Sequence, residues 1–173
     1  VSPEALYVAT SDQTYSILPA VGTADLASYP ETISTRIHKF ALEATGPAYR
    51  GSGSVTGHLG WEQGKKPFRM GEHQEVLRVV TSVGETWDGS ATTRLSLLRE
   101  ADGKLEIVSE LPNSRRPAAI GKPGESLYAA RFIGTRGYLI TFRVTDPLYV
   151  LDLSDPADPK IAGELAIPGY SDY

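Results

Sequence analysis

The sequence predicts an all-β fold assembled from repeated, antiparallel four-stranded units. Three observations carry that prediction. Short strand-like runs rich in apolar residues, one of them (36–43) with a period of two, dominate the chain. Turn formers are frequent, with 17 Gly and 12 Pro among 173 residues, more than ordinary usage supplies. A strand–turn–strand unit also recurs at nearly constant spacing. No segment shows a sustained 3.6-residue period bounded by caps, and residues 24–29 offer one helical turn at most.

The elements follow in order. Residues 6–10 (LYVAT) form a short apolar run closed by Ser11-Asp12. Residues 11–34 hold Pro19, Gly22 and Pro30 without a period and read as a long excursion loop. Residues 36–43 (RIHKFALE) alternate, with Ile37, Lys39, Ala41 and Glu43 on one side. Gly46-Pro47 turns the chain into the glycine-rich run 48–59, whose glycines signal close packing or bulges. Residues 61–67 read as loop and 68–74 (FRMGEHQ) fit no single class.

Residues 76–83 (VLRVVTSV) are the strongest β run. Residues 84–91 form a loop carrying Trp87, and 92–99 return as a strand. Asp102-Gly103 is a hairpin signal that sends the chain back along 105–111. After a loop over 112–124 comes a four-strand meander, 127–133, 138–144, 148–153 and 161–167, joined by short Gly- or Asp-Pro-bearing turns.

The repeat lies in RLSLLREADGKLEIVSEL (94–111) against PLYVLDLSDPADPKIAGEL (147–165), with 36–55 a looser third copy. Outgoing strands begin near Arg36, Arg94 and Leu148, offsets of 58 and 54; return strands begin near Ala48, Leu105 and Lys160, offsets of 57 and 55. Four-stranded units that bury their faces only on their neighbours are the building principle of a β-propeller. The chain therefore reads as one domain, 1–173. It is a partial β-propeller of about three blades, near 1–59, 60–113 and 126–169, the first lacking its initial strand.

The segments LYVAT, TRIHKFALE, GSGSVTGHL, FRMGEHQEVLRVVTS and above all 127–173 resemble the secreted bacterial and archaeal β-propeller proteins distantly related to WD40 repeats. That resemblance implies an extracellular or cell-envelope location and a longer parent propeller. It carries over no catalytic residues. The chain departs from the pattern by its brevity and by the basic insert Gly64-Lys65-Lys66.

Composition narrows the function. Seventeen Lys and Arg against 21 Asp and Glu give a net charge of −4, which argues against a nucleic-acid partner. The absence of cysteine excludes disulfides, Cys-bound zinc, iron–sulfur clusters and thiol catalysis, and fits an oxidising compartment. No stretch approaches the ~18 apolar residues of a membrane span. Residues 1–5 lack signal-peptide features, and a chain opening on Val1 reads as trimmed.

Candidate chemistry is sparse. Glu72 and His73 could act as an acid–base pair or as metal ligands, but neighbours on a strand point to opposite faces. The expected reading is that one of them bonds the backbone of a neighbouring blade. Asp152, Asp155 and Asp158 are spaced like calcium ligands yet lack the EF-hand pattern, and the two Asp-Pro steps favour turn chemistry. Arg131, Arg143 and Asp146 cluster in the last blade, either as a structural brace or as a grip on a carboxylate or phosphate. Trp61 and Trp87 in loops are candidate anchors for a partner or a sugar. No G-x-S-x-G or phosphate-loop motif occurs, and no cofactor or metal is indicated.

The expectation is thus a non-catalytic secreted or cell-envelope module binding a protein or glycan. Its exposed blade faces would be covered by further blades of a longer chain or by self-association. The alternative is a channel hydrolase or lyase using Glu72, His73, Arg131 or Asp146, which requires three of these to meet within hydrogen-bond reach.

Overall fold

A computed structural model of the chain describes residues 4–13, 33–84, 89–142 and 146–167. Among these residues, eleven strands form three antiparallel meanders. The first holds β1 (Ala5–Gln13), β2 (Ile33–Glu43) and β3 (Gly46–Thr56). The second holds β4 (Met70–His73), β5 (Val76–Val83), β6 (Thr92–Ala101) and β7 (Lys104–Leu111). The third holds β8 (Ser126–Ile133), β9 (Arg136–Phe142), β10 (Asp146–Asp152) and β11 (Lys160–Ile167). Three stacked meanders, the first with three strands among the described residues, make a partial β-propeller. No α-helix occurs among the described residues, and a 3-10 turn over Lys66–Arg69 is the one helical element there.

Strand ends differ from the sequence expectation in both directions. β1 runs to Gln13 and β2 starts at Ile33, because Ser11, Asp12 and Gln13 pair with Thr35, Ser34 and Ile33. The expected excursion loop therefore loses both ends to the sheet, and its middle lies outside the described residues. The indeterminate run 68–74 divides into the end of the 3-10 turn and the short strand β4, whose Met70–His73 pair with Val79–Val76.

The meanders join in two ways. The first and second merge into a seven-stranded sheet, order β1-β2-β3-β7-β6-β5-β4, through a parallel contact of Ser52 with Lys104. Glycine makes this approach possible. A Cβ on Gly51 would lie 2.2 Å from the Gly103 carbonyl oxygen, and one on Gly53 would lie 2.2 Å from that of Leu105. The third meander is a separate sheet, order β11-β10-β9-β8.

The second meander is covered on both faces, which explains why Val76 to Thr81 are all buried. Leu77 and Val79 pack with Tyr7, Ile37 and Val55 of the first meander. Val76 and Val80, one step out of phase, pack with Leu127, Leu139 and Leu151 of the third. Alternation within this fully buried run feeds two separate cores. Burial of such side chains contributes roughly 1.5–3 kcal/mol each.

Candidate binding site

Buried charge holds the meanders together. Lys39 of β2, 8% exposed, reaches across the first junction to Glu72 (3.6 Å) and Glu100 (3.2 Å). Arg50 Nε donates to Glu100 at 2.9 Å. Burial alone would raise the Glu100 carboxyl, but hydrogen bonds from Lys39 and Arg50 hold it below its ordinary value. Tyr7 stands beside the same cluster. Its phenol is held far above the usual range, first by burial and then by the Glu72 carboxylate.

The second junction uses arginine differently. Arg78 donates from Nε to the Gly71 carbonyl (3.0 Å) and from Nη1 to the Gly134 carbonyl (2.5 Å), with its guanidinium 4.8 Å from the Phe132 ring centroid. Arg69 donates from Nη2 to the Leu127 carbonyl (2.7 Å) and from Nη1 to Ser82 Oγ (3.1 Å), while its buried Nε has no hydrogen-bond partner. Burial lowers both guanidinium groups to about 10.

Exposed aromatic and charged groups gather on the segment from Gly57 to Arg69, whose 3-10 turn packs beside β8. The His58 backbone pairs with Ser82 in both directions at 2.9 Å, pinning the segment to the end of β5. The amide of Gly60 donates to His58 Nδ1 at 3.0 Å. That bond makes Nδ1 an acceptor and places the proton of the neutral ring on Nε2. Burial lowers the His58 pKa, and the charges of Arg69 and Lys66 lower it further. Trp61, 64% exposed, stacks on this neutral ring with centroids 4.6 Å apart.

Two cation–aromatic pairs continue the ledge. Lys65 Nζ lies 3.5 Å from the Tyr128 ring centroid and 3.1 Å from Glu62. The Arg131 guanidinium lies 3.5 Å from that of Phe68. Between them is a slot of about 100 Å³ lined by Lys65, Phe68, Arg69, Ala129, Ala130 and Arg131. It borders a hollow of about 300 Å³ over β8–β10. The arrangement offers flat apolar faces next to fixed positive charge, chemistry suited to a ring-bearing or acidic ligand.

The sequence candidates are dispersed. Glu72 sits in the first junction and meets the Lys39 side chain, where a backbone partner was expected; its main-chain carbonyl accepts from Arg78 at 3.4 Å. His73 follows it on β4, paired in register with Val76. Arg131 lies on the ledge. Arg143 and Trp87 lie outside the described residues, as does the Asp146 side chain. Thus Glu72 and Arg131 occupy different layers of the stack. Among the described residues no group of three or more His, Asp or Glu could hold a metal ion, and no helix is long and apolar enough to cross a membrane.

Two members of the aspartate run act as turn formers and the third as an ion-pair partner. Asp152 Oδ1 accepts from the Ser154 amide (3.1 Å), Asp155 Oδ1 accepts from the Ala157 amide (2.9 Å), and Asp158 pairs with Arg116 at 2.7 Å. Lys39, Arg69 and Arg78 are the residues that sequence reasoning missed. The signal for Lys39 and Arg78 was a lone charge in phase with apolar neighbours.

With this geometry in view, comparison with known proteins settles the family. The family described as "Beta propeller domain" matches residues 1–173. The chain belongs to that family. This propeller chain is 39% identical over 123 residues to an uncharacterized protein of Methanocaldococcus jannaschii, a match covering 70% of this chain and 17% of the relative. It is 39% identical over 143 residues to an uncharacterized protein of Archaeoglobus fulgidus, covering 83% of this chain and 19% of the relative. The matched part is under a fifth of the length of these curated relatives. No solved structure matches the propeller chain.

Proposed function

We propose that this propeller segment is a non-catalytic binding module, secreted or held at the cell envelope, that takes a protein or glycan ligand on the ledge of Trp61, Phe68, Lys65 and Arg131. The observation that carries this reading is the exposed Trp61 stacked on a neutral, hydrogen-bonded imidazole, next to two cations fixed over aromatic rings. An aromatic plane takes the apolar face of a sugar or side chain, and the neighbouring cations favour acidic groups. The dispersal of Glu72 and Arg131 supports a non-catalytic role. The cysteine-free composition supports an oxidising, extracytoplasmic setting.

The test is titration with neutral and uronate-containing oligosaccharides and with acidic peptides, followed by tryptophan fluorescence and calorimetry. Saturable binding that Trp61→Ala abolishes is expected, with unchanged ligand recovered afterwards. Binding indifferent to Trp61, or conversion of the ligand, would overturn the reading.

A further inference from the structure

His58 is the fixed point from which the ledge is hung. Its backbone is tied to Ser82 by two bonds, and the residue before it is held by Thr35, whose Oγ1 donates to the Gly57 carbonyl at 2.8 Å. Beyond His58 the chain turns at Gly60, with a φ of +80°, and presents Trp61. The turn is closed by the Gly60 amide, which donates to His58 Nδ1 at 3.0 Å.

That bond exists only while the imidazole is neutral. Protonation places an N–H on Nδ1, and two donors then face each other in the plane of the ring. The Trp61 indole lies over the face of the ring, its plane inclined by 27°. An aromatic face attracts a cation, but that attraction acts out of the plane and leaves the in-plane clash unrelieved.

Space and charge leave the turn one way to yield. A Cβ on Gly60 would lie 2.8 Å from Cζ and Nη2 of Arg69, so the guanidinium fills the inner side. Arg69 is fixed there by the Leu127 carbonyl and Ser82 Oγ. Among the described residues, the charges that act on the ring are those of Arg69 and Lys66, both on the 3-10 turn and both of the same sign as an imidazolium. Glu62 on the same segment pairs with Lys65 at 3.1 Å and acts on Arg69, and the end of β5 brings the uncharged Ser82. The open direction is outward, where Trp61 is already largely exposed.

We propose that His58 is an acid switch for the ledge: protonating it breaks the Gly60 bond and moves Gly60 and Trp61 outward, so that a ligand held at neutral pH is released in acid. The release rests on the reading of the ledge as a binding surface; the conformational step does not.

The step is measured first, without ligand, by NMR of the nitrogen-labelled chain between neutral pH and about pH 4. The Gly60 amide, the Trp61 indole and the His58 ring should shift together through one midpoint below the ordinary histidine value of about 6.5. Gly60 should lose its protection from hydrogen exchange across the same midpoint. His58→Asn sets an amide oxygen near the place of Nδ1 and does not titrate. It should keep the neutral-pH signals of Gly60 and Trp61 and abolish the step. Lys66→Gln, a milder change, should move the midpoint upward, because it removes a repelling charge. A ring still neutral at about pH 4, a ring that titrates while Gly60 and Trp61 hold their positions, or a step that persists in His58→Asn would each overturn the switch.

Release is then read by calorimetry with neutral oligosaccharides, which have no proton of their own to exchange in this range. Affinity should fall about tenfold for each pH unit below the midpoint, since only the neutral fraction is competent, and His58→Asn should show no such fall. Binding that needs Trp61 yet holds steady across the midpoint would overturn the release and leave the ledge a binding surface. No Trp61-dependent binding of neutral or acidic ligands at any pH would overturn the ledge reading and the release with it, while the spectra still decide the conformational step.

Discussion

The junction between the first and second meanders and that between the second and third solve one packing problem with different chemistry. At the first, backbones approach through Gly51 and Gly53, the strands share a sheet, and Lys39 is neutralised by Glu72 and Glu100. At the second, the sheets stay separate, and Arg69 and Arg78 cross with carbonyl acceptors, not carboxylates. A buried ammonium, a compact point charge, needs a counter-charge. A guanidinium is more weakly hydrated and can spread its charge over several carbonyl dipoles. The contrast teaches that stacking fixes where polar groups must cross, while the residue type decides what must meet them.

The sharpest break of this contrast is Lys39→Met. It leaves two carboxylates in the junction without their shared cation, and a loss of about 3–5 kcal/mol in denaturant unfolding is expected. Replacing Glu72 and Glu100 by Leu in the same chain should recover most of that loss. No acidic replacement should rescue a matching lesion at the second junction.

Gly53→Ala comes next. Its Cβ would strike the Leu105 carbonyl, and overpacking of this kind costs about 3 kcal/mol. The same unfolding experiment checks it, and amide exchange should quicken first along β3 and β7.

Arg78→Met should cost about 2 kcal/mol, the scale of hydrogen bonds from a charged donor. Its signature is a loosened Gly134 turn, read by amide exchange there, with the first junction unchanged.

The smallest effect is a pH dependence. Glu100 has a lowered folded pKa, so its contribution is present above the ordinary carboxylate range of about 4 and is lost as pH falls through the lower folded value. His58 is also lowered, so the stability it contributes is present above about 6.5 and lost as pH falls through its folded value. Thermal unfolding should weaken in two acid steps, and Lys39→Met should flatten only the lower one.

Strand existence was legible because short apolar or alternating runs are bounded by turn formers, as in 36–43 and 76–83. β4 was not, since four residues including Gly71 hold too little pattern. The merging of two meanders into one sheet was also hidden. It rests on two glycines meeting the distant carbonyls of Gly103 and Leu105, and no local period records such a meeting. The ledge was half legible: Trp61 stood out as a loop aromatic, while the pairing of Phe68 with Arg131 depends on a crossing of separate meanders.

The double coverage of β5 has a consequence for synthesis. On the ribosome the second meander emerges with one side ready to dock on the first, while Val76, Val80, Leu95 and Leu97 wait for residues not yet made. A nascent chain with residues up to about 113 clear of the ribosome would present that stripe to solvent, and holdase capture should peak at that stage and vanish once β8–β10 have emerged.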